Sequence, residues 1–262
     1  MLVFAAITPH PPLLIPNIGK EQIEKVKKTK EALEQLEKDL YVAKPDLILI
    51  ISPHASKFDD YFSAYSCPNF KLNFSEFGDF DTNRELTGSP ETAQLIEDEA
   101  NKNNLNIKLI CRENLDHGSG VPLFYLTKHI ENTKILPLGF CAMNTKKHLQ
   151  FGEILKKVIT KSNNRIAVIA SGDLSHGLTT DAPAGFSQVG ADFDKKIIEL
   201  LETKNTVGIT NMDPGFVENA AQCGYLSIVT LLGLLKNTNY SFKNYSYEGP
   251  FGVGYLVGNF EL

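Results

Sequence analysis

Apolar residues in this chain gather in short unbroken runs, separated by longer stretches where they recur every three or four positions. Val3–Ile7, Leu47–Ile51 and Ile166–Ala170 contain no polar residue, the pattern of strands covered on both faces of a sheet. Asn106–Ile110 and Lys134–Phe140 read as further strands. From Lys20 to Ala43, Ile23, Val26, Leu33, Leu36 and Leu40 follow helical spacing with Lys and Glu between them, so an amphipathic helix is predicted. Ser89-Pro90-Glu91 pairs a capping residue with a proline at the first helical position, which starts a helix running to Asn101. Helices are also predicted over Pro122–His129, from a Thr145 cap to Thr160, over Val189–Thr203 and over Gly215–Leu235. The tail Asn244–Glu261 alternates Tyr, Phe and Val with Gly and reads as two strands around Gly249-Pro250. The connection from Lys57 to Gly88 is polar and rich in Phe, and a loop that long is functional or holds strands of its own.

Strand and helix in alternation predict one α/β domain over residues 1–262, a mixed β-sheet flanked by helices on both faces. The C-terminal strands form its antiparallel part. Apolar residues at 42% and charged residues at 22% suit a large core and exclude a disordered chain. A net charge of −5 with no basic stripe argues against nucleic acid and anionic membrane as partners. No segment reaches the roughly 18 continuous apolar residues of a membrane span. The apolar start lacks the basic residues of a signal peptide. Cys67, Cys111, Cys141 and Cys223 show no CxxC spacing, so they are expected to be reduced thiols of a cytoplasmic protein.

Histidine changes this ordinary picture. Four of the six histidines fall just past an apolar run or in a turn motif: Thr8-Pro9-His10-Pro11-Pro12, Ser52-Pro53-His54, Leu115-Asp116-His117-Gly118 and Gly172-Asp173-Leu174-Ser175-His176. In open α/β sheets ligands bind beyond the carboxyl ends of strands, and imidazoles gathered there can bind a transition metal or move protons. The prolines beside His10 and His54 stiffen their turns. Asp173 and Asp116 are candidates to orient the imidazoles, or to serve as turn and helix-cap residues. His129 and His148 lie beside lysines on predicted helices and are expected to be solvated. No G-x-S-x-G or GK[ST] motif is present, which removes serine hydrolases and P-loop enzymes.

These motifs in this order, with Val121-Pro122-Leu123, resemble the catalytic-subunit family of class III extradiol ring-cleavage dioxygenases, the protocatechuate 4,5-dioxygenase or LigB superfamily. The tail Tyr247-Glu248-Gly249-Pro250-Phe251-Gly252-Val253-Gly254-Tyr255 and the segment Glu218–Leu232 resemble one branch of it, the bacterial AmmeMemoRadiSam system protein B and Memo-like group. The resemblance implies His10 and His54 as metal ligands, His176 as the acid/base, His117 in the same pocket and Asp173 beside them. It implies Fe(II), with Zn or Cu as alternatives, and a small catecholic or phenolic substrate with O2. It also implies a homodimer and, for the Memo-like branch, a radical-SAM partner without dioxygenase activity. The superfamily takes its third ligand, a glutamate, from the helix matching Gly215–Leu235. Here that place reads Gln222-Cys223-Gly224. Cys223 is the expected third ligand, with Glu218, one turn earlier on the same predicted helix, as the alternative.

Overall fold

The computed structural model describes residues 1–262. In chain order its elements are β1 (Leu2–Thr8), α1 (Pro16–Gly19), α2 (Lys27–Ala43), β2 (Leu47–Ser52), β3 (Phe62–Tyr65), β4 (Asn69–Phe74) and β5 (Asp79–Thr87). There follow α3 (Pro90–Lys102), β6 (Ile107–Ile110), α4 (His117–Leu126), β7 (Lys134–Gly139), α5 (Thr145–Lys161) and β8 (Ile166–Ser171). The last are α6 (Gly190–Glu202), α7 (Thr206–Thr210), α8 (Pro214–Asn219), α9 (Tyr225–Leu234), β9 (Ser241–Glu248) and β10 (Tyr255–Glu261).

Eight strands form one mixed sheet in the order β6-β3-β7-β2-β8-β1-β10-β9. The three unbroken apolar runs, in β2, β8 and β1, lie side by side with β7, all four strands parallel, since only the middle of a sheet can cover both faces of such a run. β10 and β9 extend it antiparallel at one side. β3 also runs antiparallel to β7, with β6 parallel to β3, so the antiparallel part is not confined to the tail. The aromatic connection holds the separate two-stranded β4–β5 sheet.

Alternate strand residues feed two cores. Ala5, Ile7, Leu49, Ile51, Val168 and Ala170 pack with α3, α5, α6 and α9. Phe4, Ala6, Ile48, Ile50, Ala167 and Ile169 pack with α2, α4 and the β4 side chains Phe70, Leu72 and Phe74. A Cβ on Gly233 would lie 2.4 Å from the Leu149 carbonyl oxygen, so α5 and α9 meet backbone to backbone there.

Several sequence expectations need correction. The helix predicted from Lys20 to Ala43 is α2 and begins at Lys27, because Lys20 takes positive φ and Lys20–Val26 winds as a 3-10 helix. Asn144, not Thr145, caps α5, accepting from the Lys147 amide at 3.1 Å. α4 starts at His117 under an Asp116 cap, ahead of the predicted Pro122. His129 is exposed beside Glu37 as expected, whereas His148 is wholly buried against Phe62 and Phe140. Cys67 and Cys111 are joined in a disulfide, Cα to Cα 4.8 Å. Their separation of 44 residues gives no local motif; the parallel pairing of β3 with β6 brings the segments after both strands together. No helix is long and apolar enough to cross a membrane.

Candidate metal centre

Because β1, β2 and β8 are adjacent and parallel, their carboxyl ends open on one edge. His10 leaves β1, His54 leaves β2, and the segment from Ser171 to His176 leaves β8. His117 arrives as the first residue of α4. The cap Asp116 accepts from the Ser119 amide at 3.0 Å and from Ser52 Oγ at 2.5 Å, which ties the end of β2 to α4. Asp116 is thus a cap, and its hydrogen bonds go to Ser52 and Ser119. The His54 and His117 rings stack at 4.1 Å, and His10 meets His54 edge-on at 4.8 Å.

The predicted Gly215–Leu235 helix is broken between α8 and α9, with Ala221 in the left-handed region at φ 50°. That break turns Cys223 toward the strand ends. The Cys223 and Gly224 amides donate to the Asp173 carbonyl at 3.3 and 2.9 Å, and the Asp173 amide donates to Cys223 Sγ at 3.2 Å. Gly172 and Gly224 make this crossing, since a Cβ on Gly172 would lie 2.1 Å from the Gly224 Cα. Gln222 does not enter the site; its Oε1 accepts the Tyr225 amide at the start of α9. Glu218 is exposed on α8 and the break removes the shared helix face that would have aligned it with Gln222. One donor atom each from His10, His54 and Cys223 lie within 4.8 Å of one another, and a second such group is Asp173, His176 and Cys223.

The hydrogen bonds set the tautomers. Pro122 has no N–H to give the carbonyl four residues back, and Ser171 Oγ donates to that Gly118 oxygen at 2.5 Å. With its one proton committed, Ser171 Oγ accepts from His10 Nδ1–H at 2.9 Å. His10 Nε2 therefore presents a lone pair, 3.1 Å from His54 Nε2 and 3.5 Å from Cys223 Sγ. His176 Nδ1–H likewise donates to the Ala221 carbonyl at 2.8 Å, leaving Nε2 free. Fixing one ring nitrogen so that the other is basic is how proteins prepare imidazole ligands.

Electrostatics agree. Burial, reinforced by His54, His117 and His176, holds His10 well below the usual imidazole range. Burial and then His117 bring His54 down to about 4; burial lowers His117 and His176 as well. Burial pushes Asp173 up to about 7 against the His10 amide donating to it at 2.9 Å. Burial, then Asp173, raises the Cys223 thiol. Asp173 Oδ2 and His10 Nε2 at 3.9 Å are no strong ion pair, because burial drives both toward their neutral forms. The chemistry of a cluster of neutral nitrogen and sulfur donors fits a transition metal. His54 is exposed and His117 half-buried, so the cluster opens to solvent on that side. There the Phe77 ring meets His117 edge-on at 5.4 Å. The aromatic content of the 57–88 connection was the only sequence signal for it.

The family model for the catalytic LigB subunit of aromatic ring-opening dioxygenases matches residues 4–258. The chain belongs to this family. A Clostridium acetobutylicum protein known by a locus designation is 32% identical to the LigB-family chain over 264 residues, 97% of this chain and 56% of that protein. A 3,4-dihydroxyphenylacetate 2,3-dioxygenase of Escherichia coli is 30% identical over 169 residues, 61% of each. A MEMO1 family protein of Methanosarcina barkeri is 28% identical over 138 residues, 51% of this chain and 49% of that one. The LigB-family chain thus spans about half to three fifths of the length of these relatives. Among solved structures, an uncharacterized protein from Escherichia coli K12 superposes with a TM-score of 0.69 at 16% identity, covering 98% and 99% of the two chains; that likeness concerns the fold alone.

Proposed function

We propose that this LigB-family chain is a metal-dependent oxidoreductase that acts with O2 on a small catecholic or phenolic molecule, with one transition-metal ion, Fe(II) in the first instance, held by His10, His54 and Cys223. The observation that carries this reading is the three-donor cluster with the His10 Nε2 lone pair fixed by Ser171. When bound, the ion would supply Lewis-acid and one-electron redox chemistry. Cys223, held as a thiol by burial, would hold the ion as a thiolate after losing its proton. His54 Nε2 lies 3.1 Å from His10 Nε2, and with its proton on Nδ1 that nitrogen would be free to serve as the second imidazole ligand. His176, with Nδ1–H committed to Ala221, can take a hydroxyl proton from the substrate on Nε2 and return it. Asp173, whose carboxyl burial pushes up to about 7, can share that proton. The stacked His54 and His117 rings with Phe77 offer a flat wall to an aromatic ring.

A second reading has its own support. The place of the expected carboxylate is held by a thiol, and Gln222 is spent on the start of α9. Thiolate favours Cu(I) or Zn over Fe(II) turnover, and the likeness to a MEMO1 family protein points the same way. In that reading the chain binds metal or a partner, a radical-SAM protein among the candidates, without cleaving rings.

Anaerobic titration with Fe(II), Cu(I) and Zn(II), followed by O2 uptake across a catechol panel, separates the two. Stoichiometric binding that is lost in His10→Ala and in His54→Ala supports the site, and retained metal in both variants refutes it. Oxygen uptake with a ring-opened product supports the first reading. Stoichiometric iron with no turnover on any catechol transfers the case to the second.

A further inference from the structure

The tail motif from Tyr247 to Tyr255 contributes no histidine, cysteine or carboxylate to the metal centre. Its backbone clamps the loop that carries His176: the Leu174 amide donates to the Gly254 carbonyl at 2.8 Å, the Gly254 amide to Ser175 at 2.8 Å, and the Leu178 amide to Gly252 at 2.9 Å. Against the same loop lies Asp194 of α6, wholly buried. One carboxylate oxygen accepts the Ser175 amide at 2.8 Å, and the other accepts the Tyr247 hydroxyl at 2.6 Å. A Cβ on Gly254 would lie 2.0 Å from Asp194 Oδ2, so only glycine there lets the carboxylate sit where it does. Both donors are neutral, and burial pushes Asp194 up to about 6. A carboxylate buried without a cation is costly, and an apolar residue would pack α6 more favourably. Packing therefore does not explain it, while its bond to the residue preceding His176 does.

We propose that Asp194, held by Tyr247, is the positioning residue for His176. By fixing the Ser175 amide it sets the chain so that His176 N–H and Nδ1–H both reach the Ala221 carbonyl, at 3.0 and 2.8 Å. This pair of hydrogen bonds to one carbonyl oxygen commits the ring to the Nδ1–H tautomer and keeps Nε2 basic. The part this plays in a reaction rests on the reading of His176 as proton carrier; the positioning itself requires no metal.

The test uses the 262-residue chain free of metal, with nitrogen-15-labelled histidine, and long-range proton–nitrogen spectra at about pH 8, where free imidazole is neutral. In the wild type His176 is expected as a single Nδ1–H tautomer. In Asp194→Ala the Nε2–H form should rise to about half of the population. Asp194→Asn keeps an oxygen for the Ser175 amide and should match the wild type. The signals of His148, buried on the α5 side, should stay unchanged in every variant and report an intact fold. Should Asp194→Ala fail to fold, Gly254→Ala carries the test, since it drives a methyl into the carboxylate and should give the same tautomer mixture. An unchanged His176 in either displacing variant overturns the proposal, as does Asp194→Asn behaving like Asp194→Ala. The readout needs neither metal nor turnover, so failure here is distinct from failure of the metal reading.

Discussion

His148 offers a sharp test of how burial acts in this chain. It lies fully buried on α5, edge-on to Phe62 at 4.9 Å and Phe140 at 5.7 Å. Its Nδ1–H donates to the Asn144 carbonyl at 3.0 Å, and Nε2 has no partner. Burial takes its pKa down to about 4, whereas in the unfolded chain it titrates near 6.5. Between those values the unfolded state binds a proton that the native state refuses, so acidification favours unfolding. The penalty is absent above about pH 6.5, grows as pH falls, and is complete below about pH 4. At about 1.4 kcal/mol per unit it amounts to about 2 kcal/mol at pH 5 and about 3 kcal/mol at pH 4. His148→Met fills similar space with a good helix former and cannot titrate. Urea unfolding of both proteins at about pH 7.5 and about pH 5 reads the difference, because every other group is common to the two. The wild type should lose about 2 kcal/mol more than the variant. Equal losses in both proteins would refute the assignment of a neutral, protonation-resistant imidazole.

Gly172→Ala should destabilise the fold by about 1–3 kcal/mol, because its methyl meets Gly224 backbone at 2.1 Å. The same change should weaken metal binding about tenfold or more by displacing Cys223, and unaltered affinity in calorimetry would show the crossing to be dispensable. Phe77→Ala should lower the affinity of the metal-loaded protein for 4-nitrocatechol about 2- to 10-fold while leaving metal stoichiometry intact; an unchanged absorbance titration would remove Phe77 from the pocket wall. Cys111→Ser opens a loop closed over 44 residues and should cost about 4 kcal/mol by chain entropy. Reductant should bring the wild type to the same urea midpoint, and a midpoint indifferent to reductant would mean that the two thiols are not joined.

The sheet and the strand-end histidines were legible because both are written locally. An apolar run as short and Ile-rich as Leu47–Ile51 reads as a covered strand, and His54 two residues past β2 then has one edge to occupy. The burial of His148 was also within reach: His148, Phe151, Gly152, Leu155, Val158 and Ile159 fall on one helical face, but the neighbouring lysines drew the reading outward. The break before α9 was not legible, since its left-handed residue is Ala221 rather than the glycine that ordinarily marks such a turn. Without that break Cys223 stays on a helix and Glu218 stays beside Gln222, which is why both remained candidates. The Cys67–Cys111 pairing depended on β3 lying next to β6, a neighbour relation that no spacing along the chain encodes.

His10 and Cys223 stand 213 residues apart in the chain. They meet only after β1 has paired with β8 and the turn after α8 has closed on Asp173. The other hydrogen bonds that join His10, His54, Ser171, Asp173 and Cys223 close 44 to 163 residues of chain, and non-local contacts of this kind slow folding. An ion held there would bind the completed molecule and almost nothing short of it, and its binding energy would add to the stability of the whole chain. Metal occupancy would then serve the cell as a certificate of finished folding, withheld from any truncated or half-assembled copy.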